Sequence, residues 1–122
     1  MKKVLLVEDD PLLSNLYKTF LTTGGFEVLT ARDKEIGLNL ALQENPDFIL
    51  LDVMLASHSS GLDLLKELRE DDRGKNIPVI MLTNVAEDEE RDLALKLGVK
   101  EYLLKAAQEP EEVVEKVKKY IA

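Results

Sequence analysis

The sequence predicts an α/β fold in which a parallel β-sheet is covered by helices on both faces. Five short apolar runs are separated by segments of helical length with apolar residues at three-to-four spacing, and the connections between them are short. Nearly uninterrupted apolar runs indicate strands buried on both sides, as in parallel sheets. These observations favour a doubly wound, five-stranded sheet over a sandwich or a helical bundle.

The five apolar runs have the length and the β-branched or aromatic content typical of strands. They cover residues 3–7, 26–30, 48–51, 77–82 and 101–104. We expect five strands at these positions.

The intervening segments predict five helices, and turn-forming residues delimit them. Helix starts are predicted at Asp10-Pro11 and Glu109-Pro110, and helix ends at Gly24-Gly25, Asn45-Pro46, Gly74 and Gly98. The first helix carries apolar residues at Leu12, Leu13, Leu16, Tyr17, Phe20 and Leu21. Leu12, Leu16, Phe20 and Leu21 could mark a docking helix for a kinase, but most of them should be core at this spacing, which leaves exposed neighbours such as Asn15 and Lys18 to select a partner. The last helix should pack one apolar face on the sheet.

Composition limits the classes of function. The 122 residues, 45% of them hydrophobic, suffice for one domain covering residues 1–122. The chain has no cysteine and only one histidine, which fits a reducing, cytoplasmic environment and excludes thiolate chemistry. No apolar stretch is long enough for a membrane span. A net charge of −8 leads us to expect no direct nucleic-acid binding.

Carboxylates follow two of the predicted strands. Glu8, Asp9 and Asp10 come after the first strand, and Asp52 comes directly after the third. Carboxylates that converge on one crevice repel each other, so one is protonated, or the cluster stays solvated, or a hard cation bridges them. Oxygen ligands alone favour Mg²⁺ or Mn²⁺. Asp10 precedes Pro11 and is better explained as a helix N-cap than as a ligand.

Two further strands end in groups that suit an anion. The fourth ends in Thr83 and Asn84, and the fifth ends in Lys105. A carboxylate, a hydroxyl, an ammonium and a divalent cation together suit phosphoryl transfer, with attack by the carboxylate giving an aspartyl phosphate.

The chain resembles the receiver domains of response regulators over essentially its whole length. The resemblance is carried by Val7-Glu8-Asp9-Asp10-Pro11, Leu50-Leu51-Asp52-Val53-Met54, Val79-Ile80-Met81-Leu82-Thr83 and Tyr102-Leu103-Leu104-Lys105. The four motifs are specific only as a set. The resemblance implies a flavodoxin-like sheet of strand order 2-1-3-4-5.

The resemblance also implies roles for individual residues. Asp52 corresponds to the phosphoacceptor, Glu8 and Asp9 to the acidic pair that serves Mg²⁺ or Mn²⁺, and Met54 to the residue whose backbone carbonyl binds that metal. Asp10 lies just outside the metal set.

Three more positions correspond to the family's switch. Thr83 matches the hydroxyl that hydrogen-bonds the phosphoryl group, Lys105 its ammonium partner, and Tyr102 the aromatic residue that changes rotamer with Thr83. For Tyr102 a purely structural role as a half-buried strand residue remains an equal alternative.

The implied function is a phosphorylation-dependent switch in a two-component phosphorelay. Asp52 would take its phosphoryl group from the phosphohistidine of a sensor histidine kinase or a phosphotransfer protein, and the domain would then dephosphorylate itself. It would have no other enzymatic activity. The surface formed by the fourth helix, fifth strand and fifth helix would bind an effector protein, a fused output domain or, on phosphorylation, a second copy.

The sequence departs from the family pattern at three places. Ala56 replaces a proline, and Gly61 comes nine rather than eight positions after Asp52, so that the loop 56–60 is one residue longer. Ala106 replaces the proline that usually follows the lysine in a cis peptide, and we expect a trans bond or a strained loop because a non-proline cis bond costs about 3–4 kcal/mol. Asn84 stands where a small residue is usual.

Several other interpretations stay open. A receiver fold acting as a phosphorylation-independent interaction module is the main alternative, and Asp52 could then be a simple polar strand end. An aspartyl phosphatase would need an acid where Met54 stands, and a flavin protein would need a phosphate-binding loop after the first strand. We assign no role to His58, and residues 87–90 complement a helix dipole or bind a partner.

Overall fold

The computed structural model describes residues 1–121 and confirms the predicted fold class. Five parallel strands form one sheet in the order β2-β1-β3-β4-β5. The strands are β1 (Lys3–Val7), β2 (Glu27–Ala31), β3 (Phe48–Leu51), β4 (Val79–Thr83) and β5 (Glu101–Leu104). The helices are α1 (Pro11–Thr23), α2 (Lys34–Glu44), α3 (Gly61–Glu70), α4 (Asp88–Lys96) and α5 (Pro110–Ile121), with 3₁₀ turns at Ala56–His58 and Lys105–Ala107.

The helices divide between the two faces of the sheet. Leu5, Ile49 and Met81 pack with α2, α3 and α4, whereas the alternate residues Leu6 and Leu50 pack with α1 and α5. Side chains of a strand point to opposite faces in turn, so both faces need apolar residues. This is why the central strands β1, β3 and β4 contain almost nothing else.

The edge strands β2 and β5 are less buried than the three central strands. In β2, Glu27 and Thr30 are exposed, and in β5, Leu104 is exposed. An edge strand has a neighbour on one side only, so the predicted burial of every strand on both faces is wrong for β2 and β5.

Two predicted strands are misplaced by one or two residues. Phe26 precedes β2 because its amide donates to the Leu21 carbonyl and closes the end of α1. Ile77 and Pro78 precede β4; the Ile77 amide donates to the Gly74 carbonyl, and proline has no amide proton for the ladder. At the other end, Thr83 belongs to β4 and pairs with Leu104.

The predicted helix boundaries hold except at Gly74. Asp10 is the N-cap of α1, and its carboxylate accepts the Leu12 amide proton at 2.9 Å. Asn45 (φ 47°) and Gly98 (φ 83°) follow α2 and α4 in the left-handed region. Helix α3 already ends at Glu70, and Gly74 lies in the following turn, where a Cβ atom would come within 2.4 Å of Leu68.

The apolar face of α1 is narrower than the sequence suggested. Tyr17 and Leu21 are buried, but Leu12 is 81% exposed and Leu16 is 40% exposed. A core position is therefore wrong for Leu12 and Leu16, whereas Leu13 and Phe20 pack against the core, because α1 turns only one stripe toward the sheet. Two leucines thus join Asn15 and Lys18 on the outer surface of α1.

The edge strand β5 is fastened to α5 through Glu101. Its carboxylate accepts hydrogen bonds from the Tyr120 hydroxyl at 2.7 Å and from the Lys116 ammonium at 3.0 Å. These bonds, the Tyr120 bond first, lower the pKa of Glu101 below its ordinary value of 4.5. A carboxylate with a depressed folded-state pKa contributes stability above its unfolded pKa and loses it as the pH falls.

We therefore expect Glu101→Gln to lower the free energy of unfolding at pH 7 by about 1 kcal/mol. The difference from the unsubstituted protein should persist down to about pH 4.5 and shrink below it, as the native carboxylate becomes protonated. Urea unfolding at a series of pH values measures this. Glu115→Gln, on the exposed side of α5, is the control; a pH-independent difference for Glu101→Gln would contradict the assignment.

Candidate functional site

The predicted carboxylates converge at the carboxyl end of the sheet. Strands β1 and β3 are neighbours with Val7 opposite Leu51, so the next residues, Glu8 and Asp52, emerge side by side. The Asp52 amide donates to the Val7 carbonyl at 3.1 Å. Glu8, Asp9 and Asp52 each offer a carboxylate oxygen, and these oxygens lie within 4.8 Å of one another.

Lys105 bridges two of these carboxylates. Its Nζ atom lies 2.5 Å from Glu8 Oε1 and 2.5 Å from Asp52 Oδ2. The lysine side chain is only 10% exposed, and both carboxylates are more deeply buried. The ion pairs are therefore largely shielded from solvent. Their attraction is stronger in this buried environment than it would be in water.

Burial and charge act against each other on the groups of this cluster. Burial raises the pKa of Glu8, although hydrogen bonds from Lys105 and the Asp10 amide act to lower it. Burial alone would lower the pKa of Lys105, but its bonds to Asp52 and Glu8 outweigh that effect and the pKa is raised. Lys105 thus remains a cation, held as the counter-ion of the cluster.

Backbone groups fix the orientation of the two buried carboxylates. The Asp10 amide donates to Glu8 Oε2 at 3.1 Å, and the Met54 amide donates to Asp52 Oδ1 at 3.3 Å. Asp52 therefore has one oxygen on a backbone amide and the other on Lys105. Gly61 packs against the backbone here, since a Cβ atom would lie 1.8 Å from the Asp52 carbonyl oxygen.

Thr83 and Asn84, at the end of β4, line the same crevice as the carboxylates. A crevice of about 260 Å³ is lined by the carboxylates together with Met54, Thr83, Asn84 and Lys105. Thr83 is fully buried, and its Oγ1 atom accepts the Val85 amide proton at 3.2 Å. Met54 is exposed at the rim, and Asn84 is exposed beside Thr83. The crevice thus combines carboxylates, a hydroxyl, an amide and an ammonium.

Tyr102 is connected to this site through a residue that sequence reasoning missed. The Tyr102 hydroxyl donates to the carbonyl oxygen of Val85 at 2.7 Å, while the Val85 amide donates to Thr83. Burial raises the pKa of the Tyr102 hydroxyl, with the charge of Glu90 as the next cause. An apolar residue that acts through its backbone leaves no signal in the sequence.

Tyr17 is a second residue that the sequence placed only in the core. It is 4% exposed, and burial raises the pKa of its hydroxyl, with the charges of Lys105, Glu8 and Asp52 as smaller causes. Its hydroxyl therefore lies within electrostatic reach of the cluster. The available signal was chemical: a tyrosine at a helical core position carries a polar tip that must be accommodated.

The longer loop after Asp52 folds into a 3₁₀ turn. Ser57 (φ 61°) and His58 (φ 55°) both adopt the left-handed region, which is unfavourable for residues other than glycine. Ser59 secures the turn: its hydroxyl donates to the Ala56 carbonyl at 2.6 Å and accepts the Lys34 amide proton at 3.1 Å. His58 is exposed on this turn.

The peptide bond between Lys105 and Ala106 is trans, as expected. Residues 1–121 contain no cis peptide bond. Lys105 begins a short 3₁₀ turn that continues to Ala107. The altered residue after the lysine is therefore compatible with a lysine that reaches both Glu8 and Asp52.

The donor set fits a hard divalent cation. Three carboxylates face a single ammonium, which leaves negative charge to be neutralised, and all the ligand atoms are oxygens. The acidic pocket could therefore bind a metal ion, with Glu8, Asp9 and Asp52 as the protein ligands nearest to one another.

The chain belongs to the receiver-domain family of two-component response regulators. Residues 4–118 match the family model described as "Response regulator receiver domain". The transcriptional regulatory protein CpxR of Klebsiella pneumoniae is 46% identical over 105 residues, which cover 86% of this chain. The chain spans only 43% of the length of that relative.

Solved receiver structures have the same fold. A CheY-like receiver domain from Methanospirillum hungatei superposes with a TM-score of 0.91 at 27% identity, covering 99% of this chain and 94% of that one. The receiver domain of the sensor histidine kinase PA1611 from Pseudomonas aeruginosa, solved with a magnesium ion in its active-site cleft, has a TM-score of 0.87 at 28% identity, covering 98% of this chain and 97% of that one. The response regulator Rcp1 was solved in an Mn²⁺-bound form.

Within residues 1–121, no helix has the length and apolar character that a membrane crossing requires.

Removing Lys105 tests whether its charge holds the cluster together. Lys105→Met should lower the free energy of unfolding by about 3 kcal/mol in metal-free buffer, because two buried carboxylates lose their counter-ion. Mg²⁺ should then raise the melting temperature of this variant more than that of the unsubstituted protein, since it supplies the missing positive charge. Thermal unfolding with and without Mg²⁺ measures both effects.

Lys18→Met, on the exposed surface of α1, is the matched control and should respond to Mg²⁺ as the unsubstituted protein does. Equal stability of Lys105→Met and the control in metal-free buffer would show that the bridge contributes nothing to the folded state.

Proposed function

We propose that this chain is a phosphorylation-controlled signalling switch of a two-component phosphorelay and that Asp52 is its phosphoacceptor. The observation that carries the proposal is the Lys105 bridge, which holds an Asp52 oxygen 2.5 Å from an ammonium at a crevice that also contains the Thr83 hydroxyl. A carboxylate nucleophile beside a cation and a hydroxyl is the arrangement that phosphoryl transfer needs.

The forward step is attack by a carboxylate oxygen of Asp52 on the phosphorus of a phosphohistidine. A phosphorus–oxygen bond forms, the phosphorus–nitrogen bond breaks, and its electron pair stays on the imidazole of the donor. Lys105 stabilises the negative charge on the transferring oxygens, and the Thr83 hydroxyl donates a hydrogen bond to one of them. Glu8, Asp9, Asp52 and the Met54 carbonyl would hold Mg²⁺ or Mn²⁺, which would supply further charge neutralisation for the phosphoryl oxygens.

The reverse half of the cycle is hydrolysis. A water molecule attacks phosphorus, the bond to Asp52 breaks, and inorganic phosphate leaves with the aspartate restored. The exposed Asn84 amide beside Thr83 lies where it can hydrogen-bond that water or hinder its approach. We propose no enzymatic activity beyond self-phosphorylation and this autodephosphorylation.

The output of the switch starts at Thr83. In the unphosphorylated protein its Oγ1 atom is engaged by the Val85 amide, and the Val85 carbonyl is engaged by Tyr102. Rotation of Thr83 toward a phosphoryl group releases the Val85 amide, so the β4–α4 loop and Tyr102 must readjust together. This would alter the surface formed by α4, β5 and α5.

The partners follow from this scheme as further parts of the proposal. The phosphoryl donor is a sensor histidine kinase or a phosphotransfer protein, and the α4–β5–α5 surface binds an effector, a fused output domain or a second phosphorylated copy. We place the protein in the cytoplasm, as one receiver domain over residues 1–122 without direct contact to nucleic acid. The similar CpxR proteins are transcriptional regulatory proteins, which agrees with a transcriptional output.

Phosphorylation is tested with acetyl phosphate and Mg²⁺ as the donor system. Intact mass should increase by one phosphoryl group, and the increase should disappear with chelator and in Asp52→Asn, because both remove part of the reacting set. Asp63→Asn, on the exposed face of α3, should be phosphorylated normally.

The alternative, a phosphorylation-independent interaction module, predicts no adduct in the unsubstituted protein even though Mg²⁺ is present. An adduct that survives in Asp52→Asn would instead place the phosphoacceptor elsewhere.

The role of Tyr102 is tested separately. Tyr102→Phe should be phosphorylated at an unchanged rate, because the hydroxyl bonds to Val85 and not to the reacting groups. The shifts of the amide signals of residues 84–87 on phosphorylation should be clearly smaller than in the unsubstituted protein, and the free energy of unfolding should fall by about 1 kcal/mol. Amide NMR measures the shifts.

Tyr120→Phe, which also loses one hydroxyl hydrogen bond but lies on α5, is the matched control. Unchanged amide shifts in Tyr102→Phe would leave this tyrosine with a structural role only.

A further inference from the structure

A second cavity lies at the opposite end of the sheet from Asp52. It has a volume of about 410 Å³ and sits between the turn that precedes β4 and the turn that follows α4. Its lining includes the apolar residues Ile77 and Leu97 and four cationic side chains. The cations are Arg69, Lys75, Lys96 and Lys100.

Arg69 is a half-buried cation whose partners are all neutral. Its Nε atom donates to the Leu97 carbonyl at 2.8 Å, and its Nη1 atom donates to the carbonyls of Ile77 at 2.8 Å and Gly74 at 3.1 Å. Burial lowers the pKa of this guanidinium, and no carboxylate contributes to the shift. The carbonyls fix the side chain in place without neutralising its charge.

The three lysines add positive charge that is poorly compensated. Among the residues that the structure describes, Lys75 pairs only with Asp72, whose side chain is 95% exposed, at 3.3 Å. Within the described residues 1–121, Lys96 and Lys100 form no ion pair, and no carboxylate lines the cavity. The positive charge of this cavity thus contrasts with the net charge of −8 of the chain.

The cavity is separate from the phosphorylation site. Strand β4 runs from Pro78, which lines this cavity, to Thr83, which lines the other. Five residues of strand span about 17 Å, so a ligand here would not touch Asp52. Binding at the two sites can therefore be distinguished by the residues that respond.

We propose that this cavity is a binding site for a small polyanion of the phosphate class. The volume lies in the range of pockets for small molecules. A guanidinium held in place by carbonyls, in a cavity that three lysines also line, offers the positive charge and the fixed donors that suit linked phosphate groups. An anion here would compensate Arg69 and relieve the mutual repulsion of the lysines.

The proposal is tested by titrating inorganic pyrophosphate into the metal-free protein and following backbone amide NMR signals. Saturable shifts are expected at Ile77, Gly98 and Lys100, with little change at Asp52 and Asn84. The double variant Lys96→Gln/Lys100→Gln should bind about tenfold more weakly, because each charge contributes a modest electrostatic attraction.

The control is the double variant Lys66→Gln/Lys118→Gln, which removes two exposed lysines outside the cavity and so has the same net charge as Lys96→Gln/Lys100→Gln. This control should bind pyrophosphate as the unsubstituted protein does. Equal weakening in both double variants would mean general charge attraction and overturn the site. Shifts confined to the Asp52 crevice would overturn it as well. Citrate, a carboxylate polyanion, should bind more weakly than pyrophosphate; equal affinity would overturn the assignment to the phosphate class.

Discussion

The ammonium of Lys105 between Glu8 and Asp52 is the interaction on which the rest of the site depends. Two buried carboxylates this close together would repel each other strongly without a cation. The sheet places them there because β1 lies between β2 and β3, so the residues after Val7 and Leu51 must emerge together. Strand β5, at the edge of the sheet, brings the lysine that makes this arrangement tolerable. The same cation is then in place to stabilise an incoming phosphoryl group.

The sequence was sufficient to predict the site residues that stand at the carboxyl ends of the strands. Glu8, Asp52, Thr83 and Lys105 were predictable as neighbours because parallel strands deliver their carboxyl ends to one edge. The strand limits near Phe26 and Ile77 were less predictable, since backbone bonds to preceding turns decide where pairing begins. The order of strands came from resemblance, because periodicity alone does not determine it.

What the sequence could not predict depends on the backbone or on neutral partners. Val85 joins Thr83 to Tyr102 through its own amide and carbonyl, which any residue type could provide. Arg69 is held in its cavity by carbonyls of two separate segments, the turn before β4 and the turn after α4, so no local sequence pattern predicts the cavity. The exposure of Leu12 and Leu16 depends on how α1 is rotated on the sheet, which helical spacing leaves open within one turn.

The measurement that tests the central claim most directly is location of the phosphoryl group by chemical trapping. Reduction of the acetyl-phosphate-treated protein with borohydride converts an aspartyl phosphate to homoserine, and peptide mass analysis locates the converted residue. The account predicts homoserine at position 52 and at no other carboxylate of the cluster. Conversion at Glu8 or Asp9, or no conversion in protein that carries the added mass, would contradict it.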